Sequence, residues 1–104
     1  MSKQTFSIRT SKGRKDGIQT LQMEGELSFR NADAMAGELR KAGITGSRLL
    51  IKIENVVNLD VTFYQLYLAF VRKCQGQGIE VRTEVSLPED LRGLMRNAGI
   101  REFA

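Results

Sequence analysis

In QTFSIRT, residues 4–10, apolar and polar positions alternate, with Phe6 and Ile8 on one side. A period of two is what a half-buried strand produces, because successive side chains leave a pleated backbone on opposite faces. The segment SKGRKDG reads as a hairpin loop, and IQTLQMEG alternates again, with Ile18, Leu21 and Met23 marking its inward side. SRLLIKIEN predicts a third strand over residues 47–53. Its run Leu49, Leu50, Ile51 has the look of a strand buried on both faces. A fourth strand is expected in IEVRTEV, where Ile79, Val81, Thr83 and Val85 alternate with charged residues.

Between the strands the period changes to that of a helix. NADAMAGELRKAG places Met35 and Leu39 on one face; Asn31 is its expected cap and Gly43 its expected stop. Asp33 suits the positive end of that helix, and Arg40 and Lys41 suit the negative end. In the stretch from Asp60, Phe63, Leu66, Tyr67, Phe70, Val71 and Cys74 recur at spacings of three and four, a core-facing stripe ended by Gly76 and Gly78. SLPEDLRGLMRNAG opens on a capping-box pattern, Ser86 with Glu89, and turns Leu91, Leu94 and Met95 inward. The expected order is β-β-α-β-α-β-α. This is an α/β fold with a mixed sheet, its later strands parallel and its helices packed on it.

The 104 residues fit one domain, 1–104, with 41% hydrophobic and 27% charged residues, the balance of a globular chain. Cys74 is the single cysteine, so no internal disulfide forms, in keeping with a reducing cytoplasm. Residues 1–10 hold no apolar core of a signal peptide, and no run is long enough to span a bilayer, so no membrane insertion is expected. With no histidine, no P-loop and no G-x-G-x-x-G, the chain lacks the commonest catalytic and phosphate-binding equipment. No metal site and no cofactor are expected. The net charge of +4 is modest. The densest basic cluster, Lys12, Arg14 and Lys15, has no aromatic neighbour to stack a base, so a nucleic-acid-binding role is the lesser reading.

The stretch NLDVTFYQLYLAF, residues 58–70, holds the most informative position. Asp60 stands directly before the apolar stripe, where a carboxylate accepts from free helix N–H groups and meets the positive end of the helix dipole. The same position follows the exit of a buried parallel strand, the usual place for a ligand or partner. Both readings, cap alone and cap at a docking site, stand at this point.

Four segments then carry a family resemblance. MEGELS resembles G-x-L-D after a second strand, and LLIKIENVVNLD resembles a buried strand running up to an aspartate. DVTFYQLYLAF lies where D-S/T-x-G opens an apolar helix, and GIEVRTEVSLPEDLRGLMRNAGIREF resembles a closing strand and helix. Together they resemble the STAS domain, shared by anti-sigma factor antagonists and the tails of sulfate transporters, over nearly the whole chain. The resemblance implies a regulator that binds a protein partner: a kinase-type anti-sigma factor, a phosphatase or an ABC-transporter component. It also implies a phosphoacceptor directly after the aspartate, where this chain has Val61, which has no hydroxyl. Thr62 keeps a hydroxyl one position on, Phe63 replaces a small glycine, and Ser28 replaces the aspartate of G-x-L-D.

The expectation is a non-catalytic interaction module that has lost the usual phosphoswitch. Its partner-binding residues would be Asn58, Asp60, Val61, Thr62, Phe63, Tyr64 and Leu68. Tyr64 and Leu68, four apart, widen the apolar stripe sideways; a covering by helix 31–43 explains them equally well. Thr62 is the alternative phosphoacceptor. Homodimerisation is compatible with the sequence.

Overall fold

The computed structural model describes residues 5–11 and 17–103. Four strands, β1 (Phe6–Ser11), β2 (Ile18–Leu27), β3 (Arg48–Leu59) and β4 (Glu80–Val85), lie side by side in the order β1-β2-β3-β4. The β1–β2 pair is antiparallel, and β2–β3 and β3–β4 are parallel. The parallel pairs are joined by helices α1 (Ala32–Lys41) and α2 (Val61–Gly76), and α3 (Glu89–Asn97) follows β4. Short 3₁₀ turns, Phe29–Asn31 and Arg101–Phe103, precede α1 and follow α3. The mixed sheet and element order are those expected. The basic cluster Lys12, Arg14 and Lys15 lies outside the described residues.

One face of the sheet carries the core. Leu21, Met23 and Leu27 of β2 and Leu49, Ile51 and Ile53 of β3 are buried, and they meet Met35, Leu39, Phe63, Phe70 and Met95 of the helices. The alternate positions are only half-buried, which corrects the reading of β3 as covered on both faces. Leu50 points to the open face, opposite Thr20 and Arg82. In β2 the inward position belongs to Gln19, 4% exposed, and not to Ile18. Both ends of its amide are paired: Nε2 donates to the Gly43 carbonyl at 2.8 Å, and Oε1 accepts from the Thr45 N–H at 3.1 Å. A polar side chain is stable at that depth because both of its ends are paired.

The chain after α3 closes the core over α2. Phe103 is 1% exposed and lies edge-on to Tyr67 and Tyr64, with ring centroids 5.1 and 5.4 Å apart. Each such pair contributes about 0.5–1.5 kcal/mol beyond burial. Phe103 thus packs on Tyr64. The Tyr67 hydroxyl pairs with Thr83 Oγ1 at 2.7 Å, which joins α2 to β4.

Two expected caps are not formed. Asn31 makes no cap bond; its Nδ2 donates instead to the Glu26 carbonyl and to Thr5 Oγ1, at 2.8 and 2.9 Å. Pro88 is the N-cap of α3, and Ser86 instead continues the ladder, its N–H donating to the Ile53 carbonyl at 2.8 Å. Leu91 and Met95, four apart, suffice for the buried stripe of α3, so Leu94 turns outward, 56% exposed.

β3 also runs further than residue 53, to Leu59. Met23 pairs with Ile53 but Glu26 pairs with Asn58, so β3 carries two extra residues over that interval. Such bulges need unusual backbone angles. Asn55 has φ of 51° and Gly25 has φ of 94°. A Cβ on Gly25 would overlap the Thr5 carbonyl oxygen and lie 2.9 Å from Phe6 Cα, both backbone atoms. Gly25→Ala is therefore expected to destabilise the fold by at least about 2 kcal/mol, read from urea denaturation midpoints. Loss of less than half of that would show that the β1–β2 ladder yields there.

Candidate functional site

The bulged end of β3 delivers Asp60 to the start of α2. Its backbone is extended, with φ −143° and ψ −178°, as an N-cap requires. Oδ1 accepts from the Phe63 N–H at 3.1 Å. Oδ2 accepts from the Phe29 N–H at 2.8 Å, across 31 positions of sequence. One carboxylate therefore caps α2 and also tethers the 3₁₀ turn that leaves β2. No acidic residue lies in the first turn of α2, so Asp60 supplies its negative charge at the positive end of the dipole.

A second carboxylate organises the adjoining strand ends. Glu26 Oε2 accepts from Ser28 Oγ at 2.6 Å and from Asn58 Nδ2 at 3.0 Å. Ser28 is 1% exposed, so its hydroxyl needs that acceptor. Asn58 Oδ1 accepts in turn from the Leu59 N–H at 2.9 Å. Asn58 thus aligns the last residues of β3, and Ser28 aligns the turn whose next N–H reaches Asp60.

Around this polar scaffold three apolar side chains face solvent: Phe29 at 65%, Val57 at 72% and Val61 at 49% exposure. They stand on the connection after β2, the bulged end of β3 and the first turn of α2, all at the carboxyl ends of the two central strands. Phe29 and Val57 are absent from the sequence reading. Their nearest signal was position: Phe29 follows the MEGELS segment, and Val57 sits in the residues that precede Asp60.

The remaining sequence-derived residues divide by burial. Asn58 is exposed and Thr62 is half-buried. Phe63 is 0% exposed. It cannot meet a partner directly, which corrects its place among the contact residues: the third residue of α2 faces the sheet, where it fills the core beside Phe103. Tyr64 and Leu68 are half-buried and pack against that core, flanking the site.

Little else around the site suggests chemistry. Cys74 is buried, and burial pushes its thiol pKa up, partly offset by the neighbouring Lys73 charge, so the thiolate is disfavoured. Among the described residues no group of three His, Cys, Asp or Glu side chains could hold a metal ion. A shallow groove of about 160 Å³ between α1 and α2, lined by Ala36, Leu39, Leu66 and Phe70, begins further along both helices than the site.

Comparison with known proteins places this geometry in a fold class. No family model matches the chain, and no curated relative matches it. Solved structures do. An antisigma-factor antagonist STAS domain from Rhodobacter sphaeroides is 19% identical, with a TM-score of 0.65 over 79% of this chain and 88% of that one. An anti-sigma factor antagonist from Mycobacterium paratuberculosis is also 19% identical, with a TM-score of 0.67 over 98% and 86%. Unphosphorylated SpoIIAA, an anti-sigma factor antagonist, is 10% identical, with a TM-score of 0.62 over 93% and 84%. The chain has the STAS-domain fold, with Asp60 capping the helix that follows its third strand.

The double role of Asp60 has a measurable cost. Asp60→Ala removes both acceptors and is expected to destabilise the protein by about 1–3 kcal/mol. Asp60→Asn keeps one acceptor oxygen and should lose less. Equal losses in thermal or urea unfolding would mean that only one of the two bonds contributes.

Proposed function

We propose that this chain is a non-catalytic, anti-sigma-factor-antagonist-like regulator that acts in the cytoplasm by docking on a protein partner. The docking surface is the rim formed by Phe29, Val57, Asn58, Asp60, Val61 and Thr62. The partner is a kinase-type anti-sigma factor, a phosphatase or an ABC-transporter component. The observation that carries the reading is the placement of Phe29, Val57 and Val61 at the strand ends organised by two separate carboxylates, Asp60 and Glu26, each accepting its own hydrogen bonds. A single exposed apolar residue needs no explanation, but three at one end of a sheet make a patch that gains by being covered. Phe29 is the natural anchor, since aromatic side chains supply much of the energy of protein interfaces. Among the described residues, no helix is long and apolar enough to cross a membrane.

In this reading binding is constitutive. A phosphate on the residue after Asp60 would bring about −1.5 to −2 charges to the rim, beside a carboxylate. Val61 offers no hydroxyl to carry it. Thr62 has one, in the same first turn, and is half-buried.

The test is titration calorimetry against the anti-sigma factor kinase, phosphatase and transporter component of the same cell. Phe29→Ala with Val61→Ala is expected to weaken binding at least about thirtyfold, with the melting temperature little changed. Val61→Ser should still bind, and should become a substrate of a cognate kinase by intact mass. Unchanged affinity of the folded double variant would remove the rim from the interface. Phosphate found on Thr62 of the wild-type chain would replace constitutive docking with a retained switch.

A further inference from the structure

The outer edge of β4 is complementary to itself. Among the described residues β4 is the last strand of the sheet and pairs on one side only, with β3. Two bonds fix its phase: the Glu80 N–H donates to the Ser47 carbonyl, and the Ser86 N–H donates to the Ile53 carbonyl. In a parallel ladder the residues between them alternate, so Arg82 and Glu84 turn their backbone groups toward β3 as Glu80 does. Val81, Thr83 and Val85 therefore turn their N–H and C=O groups away from the sheet.

The side chains follow the same alternation. Glu80, Arg82 and Glu84 are exposed on the open face, and Val81, Thr83 and Val85 are half-buried on the helix side. Native edge strands are commonly guarded by charges that repel a second strand. Here the signs alternate, acid, base, acid, and a strand with that pattern can be its own partner.

We propose that β4 is a homodimerisation edge, at which two copies pair their β4 strands antiparallel about a two-fold axis through Thr83. Antiparallel pairing requires outward-facing residues to oppose one another, each pair exchanging two backbone bonds. With Thr83 opposite the partner's Thr83, Val81 opposes the partner's Val85. Arg82 then opposes the partner's Glu84, and Glu84 opposes the partner's Arg82. These are non-hydrogen-bonded positions, where Cα atoms approach to about 4.5 Å and side chains meet most closely.

Neighbouring registers do worse. A one-residue slip puts outward-facing groups opposite inward-facing ones. The register with Arg82 opposite the partner's Arg82 sets like charges against each other, and also sets Glu80 against the partner's Glu84. A register centred on Val81 pairs the charges correctly but engages only residues 80–82. The two-fold closes the assembly, because the same edge is used by both copies.

Charge reversal tests this on the full chain by sedimentation equilibrium. Both substituted residues are exposed, and circular dichroism melting checks that the variants fold. The wild-type chain is expected to dimerise. Glu84→Arg alone sets arginine against arginine twice, and Arg82→Glu alone sets glutamate against glutamate twice. Each should weaken self-association about ten- to a hundredfold. An equimolar mixture of the two variants restores both ion pairs and should form heterodimers, and the double variant Arg82→Glu, Glu84→Arg should self-associate again. A wild-type chain that stays monomeric at millimolar concentration would overturn the proposal. So would a dimer indifferent to Glu84→Arg, or single variants that do not recover on mixing.

Discussion

One carboxylate holds together the end of this molecule where function is proposed. Asp60 accepts one backbone N–H from the first turn of α2 and another from the turn that leaves β2. Both donors belong to segments whose N–H groups have no strand partner, and both would need water if the carboxylate were missing. The bond to Phe29 adds a direct tie between two segments that the Glu26 network and the β2–β3 ladder already bring side by side. Cap and tether together tie the turn that carries Phe29 to the start of the helix that carries Val61.

That arrangement rests on the bulges in β3. The extra residues between Ile53 and Asn58 shift the strand end so that Val56 and Leu59 turn inward while Val57 and Asn58 turn out. Gly25 makes room on the neighbouring strand, and Asn55 takes the left-handed conformation on β3 itself. Asn55 Nδ2 also reaches Glu24 Oε2 at 2.5 Å, and Glu24 Oε1 accepts from Arg9 at 3.2 Å. Hydrogen bonds thus run across β1, β2 and β3 beside the bulge. The residue that follows Asp60 on this scaffold is Val61, which has no hydroxyl.

Much of this was legible from residue pattern. Period-two segments located β1, β2 and β4, a continuous apolar run located β3, and the stripe Phe63, Tyr67, Phe70 and Cys74 faces the core as its spacing indicates. The cap at Asp60 was legible too, because a carboxylate directly before an apolar helical stripe has few other uses. What escaped depends on contacts distant in sequence. Asn31 has the right chemistry for a cap, but Glu26 and Thr5 offer better partners. Leu50 lies in an apolar run, yet only one face of the sheet is covered by helices. Phe63 sits in the expected segment but faces inward, and no local pattern distinguishes a core aromatic from an interface one at the start of a helix. Phe29 and Val57 escaped because exposure is a property of the packed structure. Their neighbours in sequence are unremarkable.

The coupling through Asp60 is tested most directly by hydrogen exchange of two backbone amides, Phe29 and Phe63, followed by NMR in the wild-type chain and in Asp60→Ala. If one carboxylate holds both segments, both amides are protected in the wild type. Both should then lose protection together, by at least about tenfold, while amides in the middle of β3 change only with global stability. A Phe29 amide that exchanges as fast with the carboxylate as without it would show that the loops are not tied, and the rim would have no fixed shape to present.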